Sequence, residues 1–141
     1  MVTDSQRDVV FTPFMLRVRA EFEGGDVLVP LRVRSSELRS VAQANDDWVA
    51  QRARAEQVVA EANAMRNGHA PLIDLVDQIG ADHLGFALTV GGRTAAVVMH
   101  LTGRTAWVEL ERSYVRSDGP VELADLQALE DLVIELAGQG G

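Results

Sequence analysis

Alternation of large apolar residues with small or polar ones runs through the middle of the chain, most clearly from Leu84 to Val115. In Leu84-Gly-Phe-Ala-Leu-Thr-Val90, residues Leu84, Phe86, Leu88 and Val90 share one face, the period-two signature of a strand. Gly91-Gly92 supplies the positive φ angles that a two-residue hairpin turn demands. Folding about that turn sets Val90 opposite Arg93, Leu88 opposite Ala95, Phe86 opposite Val97 and Leu84 opposite Met99. The large residues of both strands land together, and a slip of one residue would expose them all. Thr102-Gly103-Arg104 turns the chain again, and Ala106, Val108 and Leu110 rejoin the apolar face. The pattern predicts a three-stranded antiparallel meander.

The same alternation occurs earlier. Phe14, Leu16, Val18, Ala20 and Phe22 alternate with Met15, Arg17, Arg19, Glu21 and Glu23, which predicts a strand. Gly24-Gly25 would turn it into a second hairpin, with Val27, Val29, Leu31 and Val33 returning and Pro30 suiting an edge. Ser35-Ser36 then offers a helix cap, and Leu38 to Met65 reads as helical, with Ala44, Trp48, Ala55, Val58, Ala62 and Met65 as its apolar stripe. Asn45-Asp46-Asp47 is a break point that would make two helices of it, and Asn67-Gly68 a stop. Pro71 predicts a short helix ending at Gly80, with Leu72, Ile73, Leu75, Val76 and Ile79 mostly buried. After Asp118-Gly119-Pro120 a last helix carries Leu123, Leu126, Leu129, Val133 and Leu136 on one stripe. Glu122, Asp125, Glu130, Asp131 and Glu135 line its solvated side.

These elements predict an α+β fold, a five-stranded antiparallel sheet in ββ-αα-βββ-α order with the helices packed on one face. Residues 1–12 read as a lead-in, 13–137 as a single domain and 138–141 as a frayed tail. In element order alone the chain resembles the PAS, profilin-like and roadblock-type domains. That resemblance implies that the first hairpin docks beside the last strand of the meander. Arg17 and Arg19 would then adjoin Glu109 and Glu111, relieving the like charges of Arg32 and Arg34 across the hairpin.

Composition narrows the chemistry. The net charge is −8, which disfavours nucleic acid and anionic lipid as partners. All 13 basic residues are arginine, so phosphate-loop lysines, Schiff bases and Ser–Lys dyads are unavailable. With no cysteine there is no thiol nucleophile and no thiolate metal site. The N-terminus carries acids early, and the longest apolar run, Ala95 to Met99, is too short to span a bilayer. A cytoplasmic protein without membrane attachment is expected. No nucleophile elbow, phosphate loop or dinucleotide fingerprint is present, so no catalytic residue is assigned and no cofactor is implied.

Two groups of residues remain as candidate sites. Arg17, Arg19, Arg32 and Arg34 could form an anion-binding patch; the plainer reading is a solvated sheet face neutralised by acids. On the far face of the meander the register sets His83 opposite His100 and His100 opposite Trp107, with Asp82 adjacent. Such a row could hold a metal, through two histidines and one carboxylate, or form an interface. Gly85, Ala87, Ala96 and Val98 beside Trp107 make that face apolar enough for a second copy, or for the lead-in residues Val9, Val10 and Phe11, to cover. The expected function is a non-catalytic protein-interaction or adaptor module, homodimeric or bound to another protein. A PAS-like sensor holding a ligand near Phe86, Leu88, Val97 and Trp48 is the alternative, and a metal-dependent enzyme using His83 and His100 the third.

Overall fold

Two glycines set the frame. Gly91 and Gly92 adopt φ of 56° and 85°, and the hairpin they close pairs β4 (His83–Val90) with β5 (Arg93–Thr102) in the register expected, from Val90 opposite Arg93 to His83 opposite His100. Gly103, at φ 68°, turns the chain into β6 (Thr105–Arg112), with His100 opposite Trp107. The computed structural model describes residues 10–22, 30–66 and 72–138. Around the meander stand α1 (Pro13–Phe22), β1 (Val33–Ser35), β2 (Arg39–Ser40), α2 (Val41–Arg66), β3 (Asp74–Ile79), β7 (Val121–Leu123) and α3 (Gln127–Gly138). The main sheet is five-stranded and antiparallel, in the order β2-β6-β5-β4-β3, and β1 pairs with β7 in a second, two-stranded sheet.

The α+β class, the five-stranded antiparallel sheet and the helical cover of one face are as the sequence predicts. Phe86, Leu88, Val97, Met99, Val108 and Leu110 face a layer built from Trp48, Ala55, Val58 and Ala62 of α2, Phe14 and Val18 of α1, and Leu129, Leu132 and Leu136 of α3. Burial of each larger side chain in that layer contributes about 1.5–3 kcal/mol. The Trp48 indole N–H donates to the Val97 carbonyl at 3.2 Å, and its ring meets Phe86 edge-on at 5.8 Å. Of the residues suggested for a ligand pocket, Trp48 thus meets both Phe86 and Val97, and Leu88 is buried in the same cluster.

The membership of the sheet differs from expectation at both edges. Residues 14–22 form a helix, not a strand. Thr12 caps it, its Oγ1 accepting from the Met15 N–H at 3.1 Å, with Pro13 at the first helical position. Phe14 and Val18, four apart, are buried, while Leu16, which the strand pattern would bury with them, is exposed. The Gly24-Gly25 turn and Val27–Val29 lie outside the described residues, as do Asn67-Gly68 and Pro71. What docks beside β6 is the two-residue β2. Residues 74–79 form the other edge strand in place of the short helix. Helix α2 runs unbroken through Asn45-Asp46-Asp47, because Asp47 accepts from Arg39 and Gln43 at its surface. Its cap is Ser40, whose Oγ accepts from Gln43 N–H at 3.1 Å; Ser36 instead donates to the Val108 carbonyl. The last helix begins later than expected, after Asp125 accepts from the Ala128 N–H, leaving Leu123 in β7 and Leu126 exposed.

Candidate functional site

The outer face of the sheet, away from the helices, gathers its chemistry on β5 and β6. Alternation puts Trp107, Glu109 and Glu111 on that face of β6, opposite His100, Val98 and Ala96 of β5. The His100 and Trp107 rings stack at 4.2 Å with 20° between planes. That contact fixes the imidazole so that its Nε2 lies 3.3 Å from Glu109 Oε1. The atom is buried, and the ion pair with Glu109 is its one polar contact among the described residues, with no well-formed hydrogen bond to it. His100, Glu109 and Glu111 bring one ligand atom each to within 4.8 Å of one another. Burial, and then the charge of Glu111, push the Glu109 carboxyl above its usual range against the pull of His100. A cleft of about 180 Å³ runs along β6 beside both carboxylates, bounded by Arg112, Val115, Ser117 and Val121.

The expected triad of two histidines and one carboxylate is replaced by one histidine and two carboxylates. His83 lies across from His100 in the ladder, but its Nδ1 sits 3.2 Å from Asp82 Oδ1 and its ring folds over Gly80. A Cβ on Gly80 would run into the His83 ring, so a larger residue there would have to push this partly exposed ring aside. Next to the cluster, Ala87, Ala96 and Val98 form a small buried group of their own. The sequence singled out His100 and Trp107, but set Glu109 and Glu111 beside Arg17 and Arg19 rather than beside His100.

The arginines are elsewhere. Arg17 and Arg19 ride on α1, and Arg17 reaches Asp131 of α3 at 2.7 Å and Glu130 at 3.5 Å. Arg32 bridges Asp125 at 2.8 Å and Asp131 at 3.3 Å. Arg34 and Arg39 converge on Glu122, and Arg54 of α2 pairs with Glu130. Arg19 lies over the Phe11 ring at 5.1 Å. The four residues of the suggested anion patch thus do not share a sheet face, and three hold carboxylates of this chain. The acids of the last helix, expected in solvent, are buried clamps: Glu130 and Asp131 tie α3 to α1, α2 and the segment before β1. Glu122 is 1% exposed, and beside it Arg34, Arg39, Asp47 and Gln51 border a polar cavity of about 140 Å³. The flanking Val121 and Leu123 were the only hint in the sequence that Glu122 belongs to a strand.

The third feature is an edge. Gly80 N–H donates to His83 O at 2.9 Å, so Gly80–His83 is a hydrogen-bonded pair. By the alternation of an antiparallel ladder Gln78, Val76 and Asp74 also turn their backbone groups toward β4. Leu75, Asp77 and Ile79 turn theirs outward, where among the described strands nothing pairs with them. Along this edge Leu72, Val76 and Ile79 are 54%, 53% and 82% exposed, and the expectation that they are buried is overturned. Arg52 of α2 grips Asp77 through two bonds of 2.7 and 2.9 Å.

The fold is an α+β domain whose five-stranded sheet has helices on one face and, on the other, the His100–Glu109–Glu111 group beside the buried Ala87, Ala96 and Val98. The chain matches no protein-family model, no curated protein and no solved structure. Among the described residues no helix is long and apolar enough to cross a membrane.

Proposed function

We propose that this chain is a non-catalytic, cytoplasmic protein-interaction module that pairs with a second copy of itself through β3. The observation that carries the reading is the open six-residue edge, with outward backbone groups at Leu75, Asp77 and Ile79 and exposed Val76 and Ile79 beside them. Unpaired edges of this kind template strand addition unless charge, proline or a bulge blocks them. Only Asp74 and Asp77 stand there, and Arg52 neutralises Asp77. An antiparallel edge can pair with itself about a two-fold axis, the commonest symmetry of soluble oligomers.

Outward residues must face outward residues, which restricts the register. Centred on Asp77, two carboxylates would meet. Centred on Val76, Leu75 exchanges hydrogen bonds with Asp77 of the other copy, Asp74 faces Gln78, and the two Val76 side chains touch. That register continues the sheet from five strands to ten. The last helix is less apt as an interface, because Leu129, Leu132 and Leu136 are already consumed by the core. The net charge of −8 supports a protein rather than a nucleic-acid partner.

Sedimentation equilibrium of the wild type and of Val76→Lys tests this. Two lysines facing each other at the two-fold should turn a dimer into a monomer without unfolding either copy, since Val76 is half exposed. A wild type that stays monomeric at hundreds of micromolar, or a Val76→Lys variant that dimerises as the wild type does, would remove the edge from the proposal.

A further inference from the structure

We propose that His100, Glu109 and Glu111 form a binding site for a divalent transition-metal ion, with Zn²⁺ the ion that fits best. The inference does not depend on pairing through β3, which is on the opposite side of the sheet order from β6.

Three observations converge. The first is the donor set. One imidazole with two carboxylates suits a borderline ion that accepts both nitrogen and oxygen; an all-oxygen set would suit Mg²⁺ or Ca²⁺ instead. The second is the unfilled valence. Nε2 of His100 is buried and makes no well-formed hydrogen bond, its nearest polar neighbour being Glu109 Oε1 at 3.3 Å. Tetrahedral zinc with bonds of about 2.0–2.1 Å holds neighbouring ligand atoms about 3.3–3.4 Å apart. The separation of His100 and Glu109 therefore already matches one edge of such a site. Glu111 brings its oxygen within 4.8 Å of both, and being exposed it can swing the remaining distance. The third is preorganisation. Trp107 stacks on the imidazole and fixes its plane, and three of the ring's neighbours sit on paired strands rather than on a loop. Two like-charged carboxylates held together on one strand face also favour a cation between them.

The fourth position of a tetrahedral ion would be left to water or to a ligand in the cleft along β6. The site is thus of the open kind, and a carboxylate or imidazole from a binding partner has the chemistry to complete it.

The test uses the full chain, stripped with a chelator and titrated with ZnCl₂ by calorimetry, with the imidazole nitrogens followed by NMR. One equivalent should bind, with the resonance of His100 Nε2 shifting and that of His83 unmoved. His100→Ala, Glu109→Gln and Glu111→Gln should each weaken binding at least tenfold, while His83→Ala binds as the wild type. The two glutamines preserve shape, so they report even where His100→Ala fails to fold. Magnesium at the same concentrations should not compete. Absence of saturable Zn²⁺ binding would overturn the assignment. So would undiminished affinity in Glu109→Gln and Glu111→Gln, or equal competition by Mg²⁺, which would mean a general attraction of acids for cations.

Discussion

Asp131 ties two distant segments to the last helix. Its carboxylate is 6% exposed and receives Arg17 from α1 and Arg32 from the segment before β1. Buried carboxylates of this kind cost stability when one partner is removed, though the half-exposed arginines here remain free to find water. Asp131→Asn should therefore destabilise by about 1–2 kcal/mol, measured as a shift in the urea midpoint at constant slope. Asp125, exposed and bound to the same Arg32, should matter far less at neutral pH, and an equal loss in Asp125→Asn would contradict the ranking.

The aspartates also set a direction for pH. The Arg52 hydrogen bond holds the Asp77 carboxyl below its usual range. For Asp125 burial would raise the value, but the Ala128 N–H and the Arg32 guanidinium outweigh it and the net shift is downward. A folded-state pKa below the unfolded one gives stability that is complete above the ordinary aspartate value of about 3.9 and lost as pH falls through the folded value. Urea midpoints should thus decline below about pH 4, and the decline should be shallower in the Asp77→Asn, Asp125→Asn double variant. A double variant with the wild-type slope would show that other groups govern acid unfolding.

At the scale of elements, the meander was legible and its flanks were not. Gly91-Gly92 and Gly103 fix the register locally, so the pairings from Leu84–Met99 to His100–Trp107 follow from counting. Residues 14–22 satisfy two periods at once, since Phe14 and Val18 fit both an alternating and a four-residue spacing. Thr12-Pro13 was the signal that decides it, as cap and first helical residue. Residues 72–79 failed for the opposite reason: an apolar cluster was read as buried, whereas an edge strand leaves part of it in solvent. The arginine–carboxylate clamps were illegible because they join α1 to α3, more than a hundred residues apart. The histidine row was legible because register alone determines it, but the approach of Glu109 to His100 depended on where the arginines fell.

Two substitutions separate real caps and turns from apparent ones. Ser40→Ala should cost about 1 kcal/mol by unpairing the Gln43 N–H, while Ser35→Ala should cost little. Gly92→Ala should cost about 1–2 kcal/mol through its φ of 85° alone, since open space surrounds its Cβ position. Equal denaturation midpoints for Ser40→Ala and Ser35→Ala would place the cap elsewhere.

The whole molecule combines an acidic surface with a self-complementary edge, and these act against each other. Two copies bearing −8 each repel through space, whereas a β3–β3 contact is short-ranged. Dimerisation should therefore strengthen as salt rises from about 20 to 300 mM, where the Debye length shrinks to well under about 10 Å. An ion-paired interface would weaken instead. Amide hydrogen exchange reads the edge itself, residue by residue. If β3 pairs with β3 of a second copy, the outward amides of Leu75, Asp77 and Ile79 will gain protection as concentration rises, while inward Val76 and Gln78 stay protected throughout. Fast exchange at Leu75, Asp77 and Ile79 at every concentration would show that the edge remains open and that this chain does not act through it.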